Sequence, residues 1–401
     1  MLAAGLCCAQ DPGALLHEPS VQAALEIAKK IEPATIEQQV RICEIPAPPF
    51  HENARGAELK RLFTTLGLQE VRVDKAGNVM GTRPGRSLHP HLVMSAHLDT
   101  VFPEGTNVKV GRDGTVLKGP GIGDDCRGLA VLLAVIQSLD DAKVITPATI
   151  TFVADVGEEG LGDLRGMKAL FSESMKDQID KFVSIDGTGY GIVNVGVGSL
   201  RYRVTFSGPG GHSYGSFGIA NPIHAMGRAI AKIADFEVPS DPKTTFNVGR
   251  VSGGTSVNAI ASEAWMEMDL RSSDVQSLNA LDRRFHAAVR TAVEEENHRW
   301  NGRGKVSVSL DLVGARPAGQ TPVNSSIVQT ALAVSTALGV QEDLRESSTD
   351  SNLPMNLNIP AITIGGGGKG AGSHSPEESF DTKDSWLGTQ RVVLLAVALA
   401  R

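Results

Sequence analysis

The chain has 401 residues, 41% of them hydrophobic and 21% charged, with a formal net charge of −7. That profile is of a soluble globular protein too long for one ordinary core, and it predicts about two domains. A negative balance without any cluster of basic residues excludes a nucleic-acid partner, because neutralising phosphates needs a basic surface. No apolar run approaches the ~20 residues of a membrane span, which excludes an integral membrane protein.

The opening MLAAGLCCAQ is apolar, rich in small residues and lacks a basic stretch. It reads as the end of a signal peptide cleaved near Ala9, implying an exported or periplasmic protein, or as a frayed terminus of a cytoplasmic one. Residues 1–15 are set apart on that account as a leader remnant or disordered tail. The four cysteines, Cys7, Cys8, Cys43 and Cys126, are too irregularly spaced for a disulfide framework or a CxxC metal knuckle.

From about residue 20 to 70, apolar positions recur at three- and four-residue spacing and predict helices, interrupted by the prolines of EIPAPPF. HLVMSAHLD and ATITFVAD then read as strands, with CRGLAVLLAVIQSLDD as an apolar helix between them and KFVSIDG as another strand. This alternation predicts a mostly parallel α/β sheet flanked by helices. Near residue 197 the texture changes. SLRYRVTFSG alternates with period two, and the segments that follow predict an inserted α+β module of β-α-β-β-α-β, ferredoxin-like kind. After about 315 the α/β texture resumes with IVQTALAVSTALG and AITIGGGG. The expected organisation is an α/β domain in two parts, 16–196 and 315–401, interrupted by a module over 197–314.

Acidic and histidine residues fall at the ends of these predicted strands. His97 and Asp99 stand at i and i+2 in SAHLDTVFP, so on a strand both project from one face. Asp124 and Asp125 lie in the glycine-rich turn GPGIGDDCRG, and Glu158 and Glu159 are adjacent in TFVADVGEEGLGD. Asp186 ends KFVSIDG, and His374 lies in GAGSHSPEE. Each alone reads more readily as a helix cap, a turn former, or a surface or satisfied core group. Together they differ, because binding sites in open parallel sheets form at the carboxyl ends of strands, and carboxylates crowding one rim repel unless something offsets them. Two imidazoles and several carboxylates make a nitrogen–oxygen set suited to Zn²⁺, Co²⁺ or Mn²⁺. GPGIG lacks the spacing of a dinucleotide loop, and GGGGKG has Gly370 where a phosphate loop needs Ser or Thr, so both read as tight turns.

In order, SAHLDTV, GPGIGDDCRG, VGEEG, SIDG, GGHSYG and GSHSPEE resemble the co-catalytic zinc exopeptidases and deacylases of the peptidase T, glutamate carboxypeptidase and aminoacylase superfamily. The resemblance spans residues 35–401 and implies a catalytic α/β domain with an inserted lid or dimerisation domain. It implies that Asp124 bridges two divalent cations, zinc first, with His97 and Asp186 completing one site and Glu159 and His374 the other. It implies Glu158 as general base to a metal-activated water, Asp99 as the partner of His97, and a cis bond between Asp124 and Asp125. His212 in GPGGHSYG resembles the histidine that steadies the oxyanion in a neighbouring subunit, which implies a homodimer. Asn258 and Arg271 resemble substrate-holding positions, Arg271 suiting a carboxylate. Their plain alternatives are a glycine turn for His212 and a surface ion pair for Arg271. Asp186, where relatives that cleave blocked substrates carry glutamate, favours a tripeptide or dipeptide aminopeptidase over an N-acyl-amino-acid deacylase or carboxypeptidase. A catalytically silent metal- or peptide-binding protein of the same fold is the non-enzyme alternative.

Overall fold

Four strands form the parallel centre of a nine-stranded sheet: Ala148–Asp155, Ser87–His97, Lys181–Ile185 and Ala361–Ile364, adjacent in that order. Every residue of Ala148–Asp155 is buried, as a strand covered on both faces requires. Alternate residues serve two cores. Leu92, Met94, Ile150 and Phe152 face one apolar cluster, and Val93, Val153 and Phe182 face the other. Antiparallel strands Gln69–Val73, Val79–Arg83 and Ile192–Gly196 extend the sheet at its sides.

The computed structural model describes residues 12–401. The proposed leader over residues 1–9, with Cys7 and Cys8, lies outside the described residues, whereas Pro12–Leu15 is a short helix with both ends buried. Helices Pro19–Lys30, Glu32–Cys43 and Asn53–Thr65 precede the sheet. The apolar helix runs over Cys126–Asp141, almost wholly buried, and packs with Pro19–Lys30 and Trp386–Leu399. Among the described residues no helix is long and apolar enough to cross a membrane.

The chain divides into two compact units, one of residues 1–196 with 320–401 and one of residues 197–319. The second is a four-stranded antiparallel sheet ordered Thr244–Gly253, Glu263–Ser272, Gly198–Ser207 and Ser307–Arg316, with helices Pro222–Ala234 and Val275–Arg299 packed on it. Its β-α-β-β-α-β order makes it ferredoxin-like. Arg316 still pairs with Ser199, so the closing strand runs past residue 314.

The strand Ser87–His97 is where the order of the first unit's sheet reverses. The chain leaves it for a neighbour on one side, Ala148–Asp155, and next for the neighbour on the other, Lys181–Ile185. Connections that part in this way open a crevice at the carboxyl ends of the strands.

Candidate metal centre

That crevice is where the chain delivers its acids and imidazoles. His97 is the last residue of its strand, Asp186 follows Ile185 directly, and Glu158 and Glu159 follow Asp155 by one short turn. Asp124 comes from the turn before the apolar helix, and its bond to Asp125 is cis. His374, with φ 65, takes a left-handed conformation that non-glycine residues adopt at cost.

Asp124 is the hub. Its Oδ1 lies 3.0 Å from His97 Nε2, and its Oδ2 lies 3.2 Å from His374 Nε2. Asp186 Oδ1 is 3.9 Å from the same nitrogen of His97, and Glu159 Oε1 is 3.0 Å from that of His374. Two clusters result, His97–Asp124–Asp186 and Asp124–Glu159–His374, each with ligand-type atoms within 4.8 Å of one another. A third grouping of the same tightness joins His97, Glu158 and Glu159.

His97 is held in the tautomer that a metal ligand needs. Its Nδ1 is 3.0 Å from the backbone carbonyl of Asp99, which only an N–H can satisfy, so Nε2 is the nitrogen that faces Asp124 and Asp186 and would give up its proton to a metal. The Asp99 carboxylate is farther from that nitrogen, at 3.7 Å. It serves another purpose: Oδ1 accepts the N–H groups of Gly157 and Glu158, and Oδ2 accepts that of Glu159. Asp99 therefore meets His97 chiefly through its backbone, and its side chain fixes the turn that carries both glutamates.

The electrostatics match a cation site. Hydrogen bonds to Asp124 and Glu159 raise the His374 imidazole to about 10 despite partial burial. Burial opposes charge on His97, yet its bonds to Asp124 and Asp99 hold it well above the ordinary range. Burial also favours the neutral form of Asp124, but His374, His97 and Ser373 outweigh it and keep the carboxyl ionised. Burial and the Asp124 charge push Asp186 up to about 7. The carboxylates thus draw protons onto both imidazoles, and a divalent cation at either cluster would replace such a proton with a larger charge. The residues present fit a pair of divalent ions.

The supporting roles of three residues were not foreseen. Asp125 caps the apolar helix through Gly128 N–H, and also accepts the N–H groups of His97 and Gly187. A Cβ at Gly128 would stand 2.3 Å from the Ile185 carbonyl, so only glycine lets the helix approach this closely. Glu378 accepts the N–H groups of Gly121, Gly123 and Asp124. Ser373 donates to Asp124 Oδ2 at 2.9 Å. The capping preference for Asp ahead of an apolar helix was a usable signal for Asp125. Glu378 shares the GSHSPEE motif with His374, but nothing in its spacing announces three backbone donors.

His212, Asn258 and Arg271 belong to the second unit. His212 pairs with Ala259 in a two-residue ladder, and its Nδ1 accepts the N–H groups of Tyr214 and Gly215. Asn258 accepts from the Ser256 hydroxyl and, through its backbone, from Ser213 N–H. Arg271, half-buried on the strand Glu263–Ser272, bonds Asp269 at 2.7 Å.

Known proteins carry the same arrangement of sequence. Residues 93–398 match the profile of Peptidase family M20/M25/M40. The chain is 26% identical over 352 residues to the uncharacterized protein YqjE of Bacillus subtilis, covering 83% of this chain and 90% of that one. It is 27% identical over 336 residues to succinyl-diaminopimelate desuccinylase of Corynebacterium glutamicum, covering 82% and 86% respectively. The crystal structure of aminopeptidase PepT from Bacillus cereus shares the fold, with a TM-score of 0.75, 21% identity, and 92% of this chain and 99% of that chain covered. The chain belongs to Peptidase family M20/M25/M40 and is a metallopeptidase, a hydrolase of that fold.

Proposed function

We propose that this chain is a two-metal hydrolase that cleaves amide bonds of small peptides, a tripeptide or dipeptide aminopeptidase with Glu158 as its general base. One observation carries the reading: the two oxygens of Asp124 meet His97 and His374 separately, as a carboxylate shared by two cations must. His97 and Asp186 would hold one ion, and Glu159 and His374 the other, with zinc first and cobalt or manganese as alternatives. Bound there, the ions would acidify a water and polarise the scissile carbonyl.

The chain's own groups do the rest. Glu159 Oε1 stands 3.0 Å from His374, and Glu158, which shares a tight grouping with His97 and Glu159, would handle the water. The Glu158 carboxylate takes a proton from that water and passes it to the leaving nitrogen, which departs as an amine. Asp99 fixes the backbone of both glutamates by accepting the N–H group of each. His212, with Nδ1 engaged, presents N–H at Nε2 and suits an oxyanion. Asn258 and Arg271 would hold the rest of the substrate, and the resemblance adds a homodimer formed through the inserted module.

Asp186 and the likeness to aminopeptidase PepT support free peptides as substrates. The desuccinylase relative supports a second reading, an N-acyl-amino-acid deacylase or carboxypeptidase using the same residues. A panel of free dipeptides and tripeptides against N-blocked amino acids, with zinc or cobalt supplied, separates the two. Hydrolysis of blocked substrates alone favours the second, and no hydrolysis of either refutes both. Glu158→Gln is expected to keep its metal and lose about 10²–10⁴-fold in kcat. Unchanged turnover would remove Glu158 from its role.

A further inference from the structure

A cavity of about 270 Å³ opens beside Asp124 within the first unit. Its side-chain walls are Thr188, Ala371, Ser373, Glu378 and Ser379, and glycine backbone supplies most of the remainder. We propose that this cavity is the specificity pocket of the hydrolase, taking a small uncharged or cationic group next to the scissile amide and rejecting a carboxylate. The proposal rests on the amide-hydrolase reading and names the substrate class for it.

Size is the first argument. The cavity falls just below the ~300–1,000 Å³ of pockets for drug-sized ligands, so it suits one small side chain. Its walls are set by backbone and by close contacts rather than by mobile side chains. Gly370 N–H donates to Thr188 Oγ1 at 3.1 Å, and a Cβ at Gly370 would lie 2.5 Å from that oxygen. A Cβ at Gly123 would lie 2.9 Å from Thr188 Cγ2, so the two walls already touch there.

Charge is the second. Among the described residues no lysine, arginine or histidine lines the cavity, and its two ionisable walls, Asp124 and Glu378, are both carboxyls. Two divalent ions at the adjacent centre would formally balance Asp124, Asp186, Glu158 and Glu159, and both Asp99 and Glu378 stand beyond that count. Glu378 is 2% exposed, so it cannot turn away into solvent. Among the described residues its Oε1 accepts two N–H groups and its Oε2 accepts one, that of Gly121, so Oε2 has a lone pair for one more donor. An amine or amide N–H can use that lone pair. A carboxylate is repelled by that oxygen and by Asp124.

Fragment binding to the metal-loaded protein, followed by calorimetry, tests this without relying on turnover. Alaninamide and butyramide are expected to bind at least about tenfold more tightly than succinamate, their anionic counterpart. Ala371→Lys, which places a cation on the wall, is expected to narrow or reverse that ratio. Equal or tighter binding of succinamate by the unaltered protein would overturn the proposal, as would failure of all three fragments to bind. Matching N-acyl and aminoacyl substrates run in parallel keep the two readings distinct. Absence of all hydrolysis with the fragment ranking intact counts against the hydrolase reading and leaves the pocket standing.

Discussion

Glu378 Oε1 accepts the backbone N–H of Asp124 at 2.9 Å, joining residues 254 apart in sequence. The same carboxylate holds Gly121 and Gly123, so one buried side chain pins the turn that presents the hub of the candidate centre. Glu378→Ala would leave three buried N–H groups without an acceptor. Glu378→Gln would put an amide NH₂ against N–H donors. Both are expected to weaken metal binding by about 10–100-fold, as the loss of a ligand's supporting hydrogen bonds does. Chelator competition measures it, and unchanged affinity in both variants would show that the turn holds itself.

Removing Asp124 should cost more metal than removing either histidine. Asp124 touches both clusters, whereas His97 and His374 each belong to one side of it. Metal analysis after dialysis is expected to find about two ions in the unaltered protein, about one in His374→Ala, and close to none in Asp124→Ala. Retention of both ions by Asp124→Ala would end the bridging assignment.

The metal-free protein should lose stability as pH rises, and the metal-loaded protein should resist that loss. Hydrogen bonds to Asp124 and Glu159 lift His374 to about 10, so its contribution is complete below its unfolded value near 6.5 and fades as pH climbs towards 10. Burial lifts Asp186 to about 7 and Asp155 to about 8, so for both the folded state binds protons more tightly than the unfolded state. Those two therefore also destabilise the fold progressively above about pH 4. Asp155 shares its buried place with Asp350, and neither carboxyl has a hydrogen-bond donor among the described residues. All three shifts carry one sign. His374 is more than half exposed, which moderates its share. Thermal unfolding of chelated and loaded samples from pH 6 to 9 checks this, and a chelated Tm that stays level or rises would contradict it.

The sheet was legible where burial is complete. Ala148–Asp155 and Cys126–Asp141 announce themselves because their apolar residues run together and nearly every position is buried. Thr244–Gly253 left no such trace, since as an edge strand most of its residues are exposed and two are glycines. The small sheet of Gly111–Asp113, Val116–Lys118, Lys369–Ala371 and Ser379–Asp381 is built from strands too short to show a period. The site follows the same division. His97, Asp124, Glu159, Asp186 and His374 could be gathered from chemistry at strand ends, whereas the targets of Asp99 and Glu378 could not. A carboxylate that collects backbone N–H groups depends on where distant chain passes, and local sequence does not encode that.

Arg127 ties the turn that carries Asp124 to the surrounding helices, and its loss is expected to be among the costliest single changes outside the candidate centre. It stands three residues after Asp124, is wholly buried, and bonds Glu32 at 2.9 Å. Its remaining donors reach the carbonyls of Gly366 and Ser385, so one guanidinium joins the start of Glu32–Cys43, the glycine loop and the start of Trp386–Leu399. Arg127→Met would keep much of the volume and strand the Glu32 carboxylate without its cation. Breaking a buried pair on one side costs about 3–5 kcal/mol. The double variant Arg127→Met with Glu32→Gln removes the stranded charge and should recover part of that loss, although the two carbonyls remain without their donor. Denaturant unfolding of both variants decides it. If the single and double variants were equally stable, the ion pair would contribute nothing, and Arg127 would act only through the carbonyls it holds.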